Sequence, residues 1–179
     1  IIEPTLKAMK QMNNPYKGFL YAGLMVKKKE PYLIEYNIRM GDPECQVLMM
    51  RLETSLLDII KSVISNNLNN LKIKWIKEKC MTVVMCSKGY PGEYKNNIEI
   101  KNLSKIITDQ KNQLFHAGTY SKDGKIFSNG GRVLNATSIG DDLLQTRNKC
   151  IENLKKIKWE YGFYRKDIGW RVIEKNEDN

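Results

Sequence analysis

The chain holds a single histidine, His116, and its four cysteines (Cys45, Cys80, Cys86 and Cys150) show no C-x-x-C spacing. An ordinary zinc site needs four closely spaced Cys or His ligands, so that class is excluded. The thiols read as reduced and mostly buried, as in a cytoplasmic protein. No apolar run approaches the roughly 18 residues of a membrane span, and no secretory leader pattern is visible, so no membrane partner is expected. Internal repeats and low-complexity tracts are missing, and so is an initiator methionine. A start at Ile1-Ile2-Glu3 is expected of a piece of a longer chain. Arginine is scarce as well: 24 of the 30 basic residues are lysines, spread along the sequence. A net charge of +10 invites a nucleic-acid reading, but that needs a clustered basic face with interleaved aromatics. Dispersed lysines describe diffuse surface charge or attraction for a small anion, and nucleic acid is not expected as a partner.

What is present suits one or two small soluble domains: 179 residues, 41% hydrophobic and 28% charged. The stretch that organises the rest is Pro31–Glu44, PYLIEYNIRMGDPE. Glu35, Asn37 and Arg39 alternate with Ile34, Tyr36 and Ile38, so a strand would put a carboxylate, an amide and a guanidinium in one row, with an apolar face behind it that could be buried. Alternation alone admits two readings, a salt-bridged polar face or a site for a hard cation and a phosphate. Gly41-Asp42-Pro43-Glu44 then predicts a tight turn into a helix, with Asp42 at N-cap and Pro43 at the first helical position.

Around this stretch the pattern predicts a helix over 4–12 and a strand over 18–26, joined to the organising strand by a Lys27-Lys28-Lys29 turn as an antiparallel hairpin. Helices follow over 45–50 and from about Thr54, and NNLNN at 66–70 punctuates a boundary placed between about 66 and 78. Beyond it lie strands at 80–86, 98–100, 114–120, 125–127 and 133–137, with Lys122-Asp123-Gly124 as a hairpin turn. A helix over about 142–157 follows, capped by Gly140-Asp141. The fold class expected is α+β.

These residues resemble the glycinamide ribonucleotide synthetase (phosphoribosylamine–glycine ligase) family of ATP-grasp enzymes. The resemblance runs in order through IIEPTLKAM, GFLYAGLM, EYNIRMGDPECQVL, GYPGEY, FHAGT, NGGRVLNATSIGDDL and FYRKDIGWR. E-x-N-x-R alone points only to ATP-grasp enzymes, whereas its continuation into GDPECQ is specific. Lys88 and Asn135 depart from the family's glycines. The resemblance implies that residues 1–72 are the last part of an antiparallel ATP-grasp domain and 73–179 a small β-rich C-terminal domain that closes over the active site. It implies ATP and Mg²⁺ (or Mn²⁺) as cofactors, and glycine and 5-phosphoribosylamine as substrates of a purine-synthesis ligase, monomeric when complete. By position in the motif, Glu35 and Asn37 would hold the metal. Arg39 would face the transferring phosphoryl group or form a structural ion pair. Arg132, after Gly130-Gly131, would meet the substrate 5′-phosphate or be the surface arginine of a turn. Asp42 reads as a helix cap or a base, and His116 as structural or as an acid–base group.

Overall fold

The computed structural model describes residues 1–177. In order, the elements are α1 (Ile2–Gln11), β1 (Tyr21–Lys27), β2 (Glu30–Asn37), α2 (Glu44–Arg51), α3 (Leu56–Ile64), a 3₁₀ turn at Leu68–Asn70, β3 (Lys79–Ser87), β4 (Glu99–Ile100), β5 (Asn112–His116), β6 (Thr119–Lys122), β7 (Lys125–Ser128), β8 (Arg132–Gly140), α4 (Leu143–Lys156), β9 (Gly162–Phe163) and α5 (Trp170–Glu177). This is the α+β class expected. Among the described residues no helix is long and apolar enough to cross a membrane.

The chain divides into two compact units. The first comprises Ile1–Cys45 and Leu52–Ile76, the second Gln46–Arg51 and Lys77–Asn179.

In the first unit β1 and β2 form an antiparallel hairpin. Lys28 and Lys29 both take left-handed φ values, 51° and 69°, as a two-residue turn matched to strand twist requires. β1 opens three residues later than expected, at Tyr21, because Gly18 has φ 135° and Tyr16 Oη donates to the Phe19 carbonyl, which holds the preceding segment out of the ladder. Register slips between Gly23 and Leu24: Gly23 faces Glu35 while Leu24 faces Leu33, leaving Ile34 as the extra residue of a β-bulge. α2 begins at Glu44, one residue after Pro43, the expected first helical position. In α3 the Ser55 side chain accepts from the Asp58 N–H, satisfying one of the free amides of the first turn.

The second unit holds the core. β8 is central in a four-stranded sheet ordered β5-β8-β3-β9, and a smaller sheet is ordered β4-β7-β6. Every residue from Val133 to Ile139 is buried, so β8 reads as a continuous strand covered on both faces rather than an alternating one. Met81, Val83 and Met85 lie opposite Ser138, Ala136 and Leu134. α4 packs on β3 and β8, with Cys150 and Leu154 in the cluster and the Cys150 thiol donating to the Met81 carbonyl. Fully burying each of Val83, Leu134 and Leu154 contributes about 1.5–3 kcal/mol. α4 starts one residue later than expected, its cap being Asp142, whose carboxylate accepts from the Gln145 N–H at 2.8 Å.

The strand expected over 114–120 is two strands in different sheets. The chain breaks at Ala117-Gly118, whose N–H groups donate to the Val133 and Arg132 carbonyls. A Cβ on Gly118 would lie 2.8 Å from the Arg132 carbonyl and 3.0 Å from that of Asn129. Only glycine allows the backbones to meet this closely.

Candidate active-site residues

In the first unit the register brings two expected ligands together. Glu35 lies opposite Gly23 and Asn37 opposite Tyr21. Two residues apart on one strand, they point to one face. The Asn37 amide donates to Glu35 Oε1 at 2.9 Å. That bond leaves Asn37 Oδ1 and Glu35 Oε2 as neighbouring oxygen donors. Gly23 makes the room, since a Cβ there would stand 3.2 Å from Glu35 Cγ.

Two further residues belong to this face, and motif spacing did not single them out. Tyr21 Oη donates to Glu44 Oε1 at 3.4 Å. The Glu44 carboxylate, first of all, raises the Tyr21 phenol above its ordinary 10.0, followed by burial, the hydrogen bond itself and the charge of Glu35. Both carboxylates thus act on one phenol. Glu44 reaches back because Gly41 has no side chain: a Cβ at Gly41 would collide with its carboxylate. The GDPE glycine therefore has a steric task that the turn reading did not assign.

Arg39 is not in the row. β2 ends at Asn37, and the Arg39 guanidinium bends back to donate to the Met40 carbonyl at 3.1 Å. Asp42 precedes a cis Asp42–Pro43 peptide, and the Cys45 N–H donates to the Gly41 carbonyl at 2.8 Å as the chain enters α2.

An oxygen-only donor set fits a hard divalent cation such as Mg²⁺ or Mn²⁺, which keeps several waters and phosphate oxygens in its shell and needs few protein ligands. Among the described residues no three His, Cys, Asp or Glu side chains gather into a cage. The pair Glu35–Asn37 would therefore hold such an ion jointly with a phosphate, not alone.

In the second unit Arg132 opens β8 and is exposed, its charge acting on the nearby Cys86 thiol, which burial pushes up. The small size of Gly130 and Gly131 serves packing: a Cβ on Gly131 would run into the Tyr90 ring, and one on Gly130 would lie 3.2 Å from Gly118 Cα. Ser87 ties the turn down, its Oγ donating to the Gly130 carbonyl and its N–H to that of Gly131. The 87–92, 116–119 and 129–132 loops are thereby knitted into one support beneath Arg132. His116 is exposed, with Nδ1 3.0 Å from Thr119 Oγ1.

Residues 80–171 match the family model "Phosphoribosylglycinamide synthetase, C domain", and residues 1–45 match the ATP-grasp (A) domain of the same synthetase. The chain is 45% identical over all 179 residues to a phosphoribosylamine–glycine ligase of Brucella melitensis, covering 42% of that protein. It is 42% identical to a chloroplastic phosphoribosylamine–glycine ligase of Arabidopsis thaliana, 34% of which it covers. The crystal structure of a phosphoribosylamine–glycine ligase from Thermotoga maritima superposes on 91% of this chain with a TM-score of 0.71 at 31% identity, over 40% of that molecule. The chain thus spans about two fifths of the length of these bacterial relatives. Its C-domain match takes in β3 to the start of α5, and with it the chain belongs to the phosphoribosylglycinamide synthetase family.

Proposed function

We propose that this chain supplies the metal-binding strand and the C-terminal domain of an ATP-dependent ligase that joins glycine to 5-phosphoribosylamine. Residues 1–72 are assigned to the ATP-grasp domain and 73–179 to the C-terminal domain. The observation that carries the proposal is the hydrogen-bonded Glu35–Asn37 pair, with two oxygens left over, inside a sequence 45% identical to a named ligase of that reaction.

Glycine's carboxylate is a poor acylating group because oxide would have to leave. Transfer of the ATP γ-phosphoryl group to a carboxylate oxygen gives glycyl phosphate and ADP. The amine of phosphoribosylamine then forms the C–N bond as the carbonyl C–O bond to phosphate breaks. A bound divalent cation would neutralise the phosphate charge as the two anions approach. Glu35 and Asn37 hold it, and one neutral and one charged ligand limit the negative charge set beside the triphosphate. Glu44, positioned by Tyr21 and Gly41, adds a carboxylate to the same face. Arg39 is assigned to the transferring phosphoryl group, which requires its guanidinium to leave the Met40 carbonyl. Arg132 is assigned to the 5′-phosphate of the amine substrate. The complete enzyme is proposed to be a cytoplasmic monomer acting on small molecules.

The test replaces the matched region of the Brucella melitensis ligase with these 179 residues. Glu35→Gln is expected to lower metal-dependent ADP release by about 10²–10³, the scale of removing one aligned electrostatic group. Near-normal turnover would remove the metal assignment. Arg132→Ala is expected to raise KM for phosphoribosylamine about 10–100-fold, the worth of a charged hydrogen bond, and to leave ATP binding unchanged. An unaltered KM would take Arg132 out of the substrate site.

A further inference from the structure

Every asparagine carries an electrophile, its carboxamide carbon Cγ, one five-membered ring away from the backbone nitrogen of the next residue. Ring closure is slow where that nitrogen is hydrogen-bonded, buried or crowded by its own side chain. Before glycine, which has no Cβ to obstruct the approach, it is fastest. Asn-Gly occurs once in the 179 residues, at Asn129-Gly130 in the turn between β7 and β8.

The structure leaves this one peptide unheld while fixing its surroundings. On one side Ser128 is fully buried, and the Asn129 N–H donates to the Gly118 carbonyl at 2.8 Å. On the other, the Gly130 carbonyl accepts from Ser87 Oγ at 2.7 Å. Between these anchors, among the described residues, the Asn129 carbonyl accepts no hydrogen bond and the Gly130 N–H donates none. Asn129 is exposed, and its carboxamide has no hydrogen-bond partner among those residues either. Both reacting groups are thus free, and water reaches them. Asn135 makes the contrast: it precedes Ala136, lies in the β8 ladder and is wholly buried.

We propose that Asn129-Gly130 is a self-modification site, at which the Gly130 nitrogen displaces ammonia from the Asn129 carboxamide. The N–Cγ bond forms as the Cγ–NH₂ bond breaks, and the proton given up by the Gly130 N–H leaves with the ammonia. Water then opens the cyclic imide at either carbonyl, giving an aspartate or an isoaspartate linkage. A neutral side chain becomes a carboxylate, so the formal net charge falls by one from +10. The new charge arises beside Arg132. A Cβ on Gly118 would meet the carbonyls of both Asn129 and Arg132, at 3.0 and 2.8 Å, so the two backbones lie side by side. Within a Debye length of about 10 Å, an added carboxylate opposes the capture of an anion by that guanidinium. This consequence rests on the reading of Arg132 above; the bond-making step does not.

The experiment incubates the full chain in mildly alkaline buffer, where the amide nitrogen loses its proton more readily, and follows it by cation-exchange chromatography and peptide mass mapping. One acidic form is expected to accumulate, with the mass change and the isoaspartate signal both at residue 129. Its rate in the folded chain should lie within about tenfold of the rate in urea-unfolded chain, since an unheld peptide adds little to the barrier. Asn129→Gln, whose ring would need six members, should suppress the acidic form at least about tenfold while melting as the parent chain does. No acidic form, an acidic form mapped to another asparagine, or a folded chain more than about tenfold slower than the unfolded would each overturn the proposal. In the ligase chimera, Asn129→Asp is expected to raise KM for phosphoribosylamine about two- to fivefold, the scale of one exposed charge pair. An unchanged KM would strike the link to Arg132. A chimera that releases no ADP even with Asn129 intact counts against the ligase reading, and the modification is then decided by the mass map alone.

Discussion

The Glu35–Asn37 pair was legible because strand alternation is a local rule: two residues apart means one face. Tyr21 and Glu44 were not. Their meeting depends on Tyr21 lying across the ladder from Asn37, and on Gly41 being too small to block the returning carboxylate. Neither fact is encoded by spacing. Glu44→Gln removes the leading cause of the raised Tyr21 phenol, so its titration should move down toward the ordinary value, read by NMR on chain labelled at tyrosine Cζ. An unmoved titration would mean that Glu44 does not sit beside Tyr21. A second residue-scale consequence concerns alkaline pH. Burial, with help from the Cys150 thiol, pushes Cys80 from 9.0 to about 12, although Arg51 pulls the other way. A thiol whose folded pKa is raised favours the native state fully below its unfolded pKa, and that contribution is lost as pH climbs through the folded value. The second unit is therefore expected to lose stability between about pH 9 and 12, seen as a falling urea midpoint. Cys80→Ala should flatten that fall.

At the scale of elements, pattern found nearly every helix and strand, and the misplacements have separate causes. Helix starts slipped by a residue where the cap was judged from a dipeptide: Asp142, not Gly140-Asp141, closes the first turn of α4. Asp142→Ala should cost about 1 kcal/mol, or roughly 2–4 °C in Tm for a protein of this size, measured by thermal melting. An unchanged Tm would mean that the Asp142–Gln145 bond contributes nothing. The break between β5 and β6 was hidden for a different reason. FHAGTY reads as a continuous strand, and only the carbonyls of Asn129 and Arg132, close in space to Gly118, divert it into a second sheet. Likewise the row Glu35, Asn37, Arg39 ended early because β2 stops at Asn37 and Arg39 turns to its neighbour's carbonyl.

For the whole molecule, the two units differ in how much they bury, and local stability should follow. With Ile59 alone inside, the first unit has little to hold it, whereas Val133 to Ile139 are all buried in the second. Limited trypsin digestion is expected to cut first in the exposed lysines Lys72, Lys74 and Lys77, leaving a resistant fragment that begins near Glu78. Mass spectrometry of the digest reads the outcome, and a resistant fragment that includes β1 and β2 would contradict the difference in burial. The same central ladder carries a cost in time. Thr82 on β3 reaches the Ala136 carbonyl on β8, 54 residues further along the chain. A ribosome making the protein therefore releases the apolar segment Met81–Met85 well before its partner strand exists. Closing so long a loop is slow by comparison with the local hairpins at Lys28-Lys29 and Asp123-Gly124. During synthesis β3 is left waiting for the strand that buries it, open in the meantime to the cell's chaperones.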